Sequence, residues 1–457
     1  MNEMKYTDGG ICAAKGFKAA GTYCGIKKPA NDDPSVKHKN DICMYVSDKV
    51  CNAAAVYTQN KVKGAPIIVT KSNLEKSGNK AVAVIANSKN ANTCNADGVE
   101  KAERMCELVS NELGIPKEQV IVASTGVIGQ VLPIEPIEKA VPILASELSY
   151  NANEEAARAI MTTDTIKKEY AVEFEIDGKI CRLGGMAKGS GMIHPNMATT
   201  LNFITTDCAI SEVMLQAALS DIVQITYNCL SIDGDTSTND MVVLMSNGLA
   251  ENSEIVEESV EYEIFKKALY EVMANLTKML AKDGEGATKL IECTVSGADK
   301  RDTAITVAKS VVCSTLFKAA IFGEDANWGR ILCAVGYADA KFDINKVDVD
   351  LKSEFGTIAV CRNGAGVEFS EEKAAEILSS DEIYVLINLN DGSKEATAFT
   401  TLTTLLLLST LLLSTNFICA KFLLVASIRI MFMSDGIVML VSPDVVPPTL
   451  NNVLTQP

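Results

Sequence analysis

The chain has 457 residues, a formal net charge of −16, and 47% hydrophobic against 22% charged residues. That length is enough for two or three domains with a sizeable core, and the composition excludes a disordered or fibrous chain. The acidic balance, without a Lys/Arg block, excludes a nucleic-acid partner. The 14 cysteines contain no Cys-x-x-Cys, and the two histidines, His38 and His194, form no zinc pattern, so no metal is expected. The opening MNEMKYTDGG has no apolar signal core, which points to a reducing cytoplasm with free thiols.

Residues 1–65 carry glycine turns and short apolar runs, such as 53–57, and read as a β-rich opening. The run AVAVIA at 81–86 predicts a buried strand, and the polar loop NSKNANTCNADG after it a turn cluster, because Asn tolerates left-handed backbone. Val99, Ala102, Met105, Cys106 and Val109 recur at helical spacing, which predicts a helix over 98–113. At 120–133 a strand leads into Ser124, Thr125 and Gly126, where glycine lets the backbone approach a ligand and offer N–H groups to an oxyanion. Helices follow over 135–160. Two strands at 170–174 and 179–183 are joined through Asp177-Gly178, a strong hairpin signal.

The stretch 188–206, KGSGMIHPNMATTLNFITT, places Gly189, Ser190 and Gly191 before Pro195, and a hydroxyl at Thr199 directly after Ala198, ahead of the apolar run 201–204. The residues fit either a surface turn before a core strand or a loop that delivers a hydroxyl onto that strand, with Gly189 and Gly191 as backbone slack. A helix at 212–226 precedes a loop at 230–248 whose acids Asp233, Asp235 and Asp240 miss the calcium-loop spacing, since Thr238 stands where Gly is needed. A long helix is expected over 260–282, then a turn carrying Glu285 and a strand to 298. Neither Lys188 nor Lys289 lies in a phosphate loop, and Ser190 fails the nucleophile-elbow pattern. Helices and strands alternate over 300–391. From 396 to 420 there is no charge, and the Leu/Thr/Ser tract there is long enough to span a membrane; a divergent C-terminus is the preferred reading.

Six motifs, ASTGVIGQVLP, AIMTTDT, GSGMIHPNMAT with TLNFITTD, SIDGDTSTND, DGEGATKL and GEDANWGRI, together resemble the glutamate N-acetyltransferase (ornithine acetyltransferase) family of arginine biosynthesis, from about residue 9 to about residue 399. The resemblance implies an α/β fold of layered αββα type with mixed sheets, like N-terminal-nucleophile enzymes. It implies self-cleavage between Ala198 and Thr199, giving chains 1–198 and 199–395 with an atypical tail at 396–457. Thr199 becomes the nucleophile, Thr125 and Gly126 the oxyanion donors, and Thr162, Lys188, Thr199 and Glu285 the substrate-binding set. The substrates implied are N-acetylornithine and glutamate, with acetyl-CoA as an optional co-substrate, no resident cofactor, and an assembly of two α and two β chains. Two alternatives stand beside it: an amidase or aminopeptidase with the same nucleophile, and an inactive relative. The sequence departs from the family at Lys89, where Gly is usual, at Thr200, where an apolar residue is usual, and in its ending, where the Leu/Thr tract replaces a pocket-completing strand.

Overall fold

The computed structural model describes residues 4–27, 38–194 and 200–403, and the backbone of 429–433 and 436–440. Ala198, Thr199 and the tract at 404–428 lie outside the described residues. The fold is mixed α/β with two mixed sheets and flanking helices, as the resemblance implies.

The first sheet has nine strands. Its order runs Lys5–Tyr6, Lys168–Ile176, Lys179–Lys188, Leu201–Thr206, Met241–Ser246, Ile42–Tyr57, Lys80–Asn87, Val120–Ser124, with Phe17–Thr22 also paired to Ile42–Tyr57. The AVAVIA run is apolar on both sides because both sheet faces are covered. Ala83 and Ile85 pack with Met105 and Val109 of helix Gly98–Leu113, while Val84 and Ala86 share a cluster with Ala156 and Ile160 of helix Asn153–Ile160. Helix Gly98–Leu113 is the crossover that makes Lys80–Asn87 and Val120–Ser124 parallel neighbours. The hairpin Lys168–Ile176/Lys179–Lys188 turns at Asp177 (φ 51°) and Gly178 (φ 72°), the paired left-handed conformation that suits a two-residue loop.

Across the middle of this sheet Lys188 pairs with Leu201 and Leu201 with Met241, so three strand ends lie in one row. Helix Val260–Lys282 packs against that region through Phe265, Leu269, Val272, Leu276 and Leu280. Burial of side chains of this size is worth about 1.5–3 kcal/mol each. Ser259 caps its first turn by accepting the Tyr262 amide at 3.2 Å, and its last turn delivers Asp283 and Glu285 to the row.

The second sheet has seven strands, with Ala287–Ala298 between Glu382–Asn388 (parallel) and Lys394–Thr403 (antiparallel). The uncharged run thus begins inside a central strand: Ala398, Thr400 and Leu402 are buried there. Helices Arg301–Val312 and Trp328–Gly336 supply its core. Residues 404–457 form a unit of their own, in which Arg429–Met433 and Gly436–Leu440 pair antiparallel. Among the described residues no single helix is long and apolar enough to cross a membrane.

Candidate active site

A cavity of about 610 Å³ opens where the strand row meets four loops. Its lining includes Thr125, Gly126, Thr162, Lys188 and Glu285, so five residues from four separate sequence motifs come together. Thr200, the first described residue after the proposed scissile bond, lines it too. Thr199 itself lies outside the described residues.

The turn at 125–128 is built by strand Val120–Ser124 and the Asn-rich loop opposite. The Thr125 amide donates to the Asn87 carbonyl at 3.0 Å and the Val127 amide to that of Lys89 at 2.9 Å. The Gly126 amide, between them, takes no part in those two bonds, and the Thr125 hydroxyl has no hydrogen-bond partner among the described residues. Gly126 stands at φ 132°, and a Cβ there would lie 2.1 Å from the Lys89 carbonyl carbon, so only glycine fits. Asn90 Nδ2 donates to the Gln130 carbonyl at 3.0 Å, and Asn239 Nδ2 donates to the carbonyls of Ala91 (2.6 Å) and Ser124 (3.0 Å). The turn cluster expected from the asparagines is therefore also the brace of the turn at 125–128.

A buried charge network links the other site segments. Asp164 accepts the Thr162 amide at 2.9 Å, the Gly189 amide at 2.8 Å and the Lys168 ammonium at 2.7 Å. Lys168 also pairs with Asp283, which accepts the Thr165 amide at 3.0 Å, and the Asp283 carbonyl accepts the Ser190 hydroxyl at 2.7 Å. The Glu285 amide donates to the Ser190 carbonyl at 2.8 Å. Lys168 and Asp164 have no exposed side-chain surface. Burial alone would raise the Asp164 carboxyl, but Lys168 and Lys188 outweigh it and hold the group at about 2. Asp164 and Asp283 fall within two of the motifs, but nothing local in the sequence marks them or Lys168 as buried partners, because each reads as an ordinary surface charge.

Lys188, at the end of its strand, is partly buried. Burial lowers its ammonium pKa, and Asp164, Asp240 and Glu285 pull it back up. Lys27, another lining cation, is lowered to about 8 by burial and donates to the carbonyls of Asn40 (2.7 Å) and Met161 (2.8 Å).

Neither Gly189 nor Gly191 has a positive φ. Both make room for neighbours: a Cβ on Gly189 would strike Thr200 Cγ2 at 2.6 Å, and one on Gly191 would strike Glu285 Oε1 at 2.7 Å. Lys89, where the resemblance implies glycine, sits at φ 76°, a left-handed conformation that glycine adopts without strain. Among the described residues no cluster of His, Cys, Asp or Glu could hold a metal ion. Asp233 binds the loop, accepting the amides of Met192 (2.6 Å) and Ile193 (2.9 Å). His194 does not line the cavity; its Nδ1 lies 2.9 Å from Ser231 Oγ.

The model of the ArgJ family matches residues 18–404 of this chain. The arginine biosynthesis bifunctional protein ArgJ of Caldanaerobacter subterraneus subsp. tengcongensis is 46% identical over 397 residues, covering 87% of this chain and 96% of that protein. A Clostridium acetobutylicum protein of the same description is 48% identical over 388 residues, covering 84% and 92%. The structure of ornithine acetyltransferase complexed with ornithine from Mycobacterium tuberculosis is 32% identical, with a TM-score of 0.38, covering 43% of this chain and 100% of that one.

Proposed function

The chain belongs to the ArgJ family of bifunctional arginine-biosynthesis proteins, and we propose that it is a self-processing acetyltransferase that moves acetyl from N-acetylornithine to glutamate through Thr199. The observation that carries this reading is the meeting of the free Thr125 hydroxyl, the Gly126 turn, Lys188 and Glu285 in one cavity beside Thr200.

In processing, the Thr199 hydroxyl attacks the Ala198 carbonyl carbon, and the C–N bond gives way to an ester. Water then opens the ester, leaving a carboxylate on Ala198 and a free amine on Thr199. That amine, with an ordinary pKa of about 7.7–8.0, is a base beside its own hydroxyl, so the enzyme needs no histidine.

In transfer, the amine takes the proton from Oγ as Oγ attacks the acetyl carbonyl of N-acetylornithine. Thr125 and Gly126 stabilise the oxyanion, a contribution of about 2.7–4 kcal/mol per donor in comparable sites. The proton passes to the departing ornithine amine. The amine of glutamate then attacks the acetyl ester, N-acetylglutamate leaves, and Oγ regains its proton. Lys188 takes a substrate carboxylate, Glu285 the ammonium of ornithine, and Thr162 a further polar contact. The enzyme works in the cytoplasm as two pairs of cleaved chains, without a cofactor; acetyl-CoA serves as an optional second donor.

Incubation with N-acetylornithine, with and without glutamate, tests the reaction. N-acetylglutamate formed in step with ornithine supports transfer. Release of acetate at the same rate whether or not glutamate is present would make the protein a hydrolase.

A further inference from the structure

We propose that Asp240 is a positioning residue of this site, its carboxylate serving as the counter-charge that keeps the Lys188 ammonium charged and aimed into the cavity. The proposal rests on the reading of Lys188 as the ligand of a substrate carboxylate.

Asp240 is 2% exposed and lines the cavity, and its Oδ2 has no hydrogen-bond partner among the described residues. A buried carboxylate oxygen left unbonded is costly, so its retention calls for a partner that is electrostatic or arrives with the ligand. The backbone fixes its place. The Met241 amide donates to the Thr200 carbonyl at 3.1 Å, and Met241 stands in the row with Leu201 and Lys188. Asp240, the residue before Met241, therefore lies at the same end of the sheet as Lys188, about two strand spacings or roughly 10 Å away across the strands, a gap that two side chains can close.

The charged groups acting on Lys188 are Asp164, Asp240, Lys168 and Glu285. Asp164 is already engaged by Lys168 and two backbone amides, and Glu285 is exposed. The other titratable lining groups, Lys27, His38, Lys39 and Lys89, bring no negative charge. Asp240 is thus the buried acid with a free oxygen. Burial pushes the Asp240 carboxyl well above the ordinary carboxylate range, and the Ser237 hydrogen bond and the Lys188 ammonium pull it back towards its charged form. Each of the two groups counters the neutralising effect of burial on the other.

The test is the pH profile of kcat and KM for the cleaved wild-type enzyme, D240N, D240E, D240S and K188M, with thermal melts to verify folding. Loss of the counter-charge lets Lys188 deprotonate at lower pH. D240N is expected to raise KM about tenfold with little change in kcat, and to move the basic limb of kcat/KM down by about one pH unit. D240E restores most of both. If D240N does not fold, D240S reads the same limb. An unmoved limb and KM in these variants, alongside a raised KM in K188M, would overturn the role of Asp240 and leave Lys188 standing. An unchanged KM in K188M would overturn the reading of Lys188 itself.

Discussion

Asp164 accepts the backbone amide of Gly189 at 2.8 Å, and through that bond one buried carboxylate fixes the segment that leads towards the proposed cleavage site. The same carboxylate holds the Thr162 amide and the Lys168 ammonium. The backbone at Thr162 and at Gly189 is thus tied to one charge.

Asp164→Asn should destabilise the chain by about 1–3 kcal/mol, because it removes one of the two carboxylates on the buried Lys168 ammonium, Asp283 remaining as the other. The group's folded pKa of about 2 lies below its unfolded value, so its stabilising contribution is complete above about pH 3.9 and is lost as pH falls towards 2. Denaturant unfolding across that window should show a steep loss of stability in the wild type and a shallower one in D164N. Equal slopes would mean that Asp164 is not held charged.

Thr125→Ala and Gly126→Ala should differ in kind. T125A keeps the turn, whose bonds are made by backbone, and should lose about 10²–10³ in kcat with little change in melting temperature. G126A forces a Cβ to within 2.1 Å of the Lys89 carbonyl carbon at φ 132°, so it should lose stability as well as activity. A T125A enzyme with wild-type kcat would remove Thr125 from the oxyanion role.

The sequence was most informative where one local rule governs. Val260–Lys282 has a capping serine and a steady apolar stripe, Asp177-Gly178 forms the expected turn, and AVAVIA is a strand with both faces covered. Helix Ala65–Ser77 had no such signature, because its apolar and polar residues do not segregate to opposite faces. The site residues were legible through the motifs they share, not through their chemistry, and their convergence depends on strand pairing that no local pattern encodes. The Asp164–Lys168–Asp283 network was hidden for the same reason: buried charges look like surface charges until the fold places them together.

Glu285→Gln should weaken binding of N-acetylornithine by about 2 kcal/mol, a rise in KM of roughly thirtyfold, through loss of a charge-assisted contact. Initial rates over a range of N-acetylornithine concentrations measure it. A change confined to kcat would assign Glu285 another role.

Alkylation of the native protein should label Cys94, Cys313 and Cys333 well before the nine buried cysteines, among the described residues. Burial pushes thiols such as Cys43 and Cys106 up to about 12, which suppresses the reactive thiolate. Peptide mapping after a short exposure to iodoacetamide gives the order; early labelling of Cys43 or Cys106 would contradict the packing.

Mass spectrometry of the purified chain, under native and denaturing conditions, tests Thr199 as the self-processing nucleophile most directly. The expected result is one species under native conditions, because strand Lys179–Lys188 pairs with Leu201–Thr206 across the cut, and two fragments on denaturation, residues 1–198 and 199–457. Thr199→Ala should stay intact and inactive. An uncleaved wild-type chain with full transferase activity would contradict the mechanism.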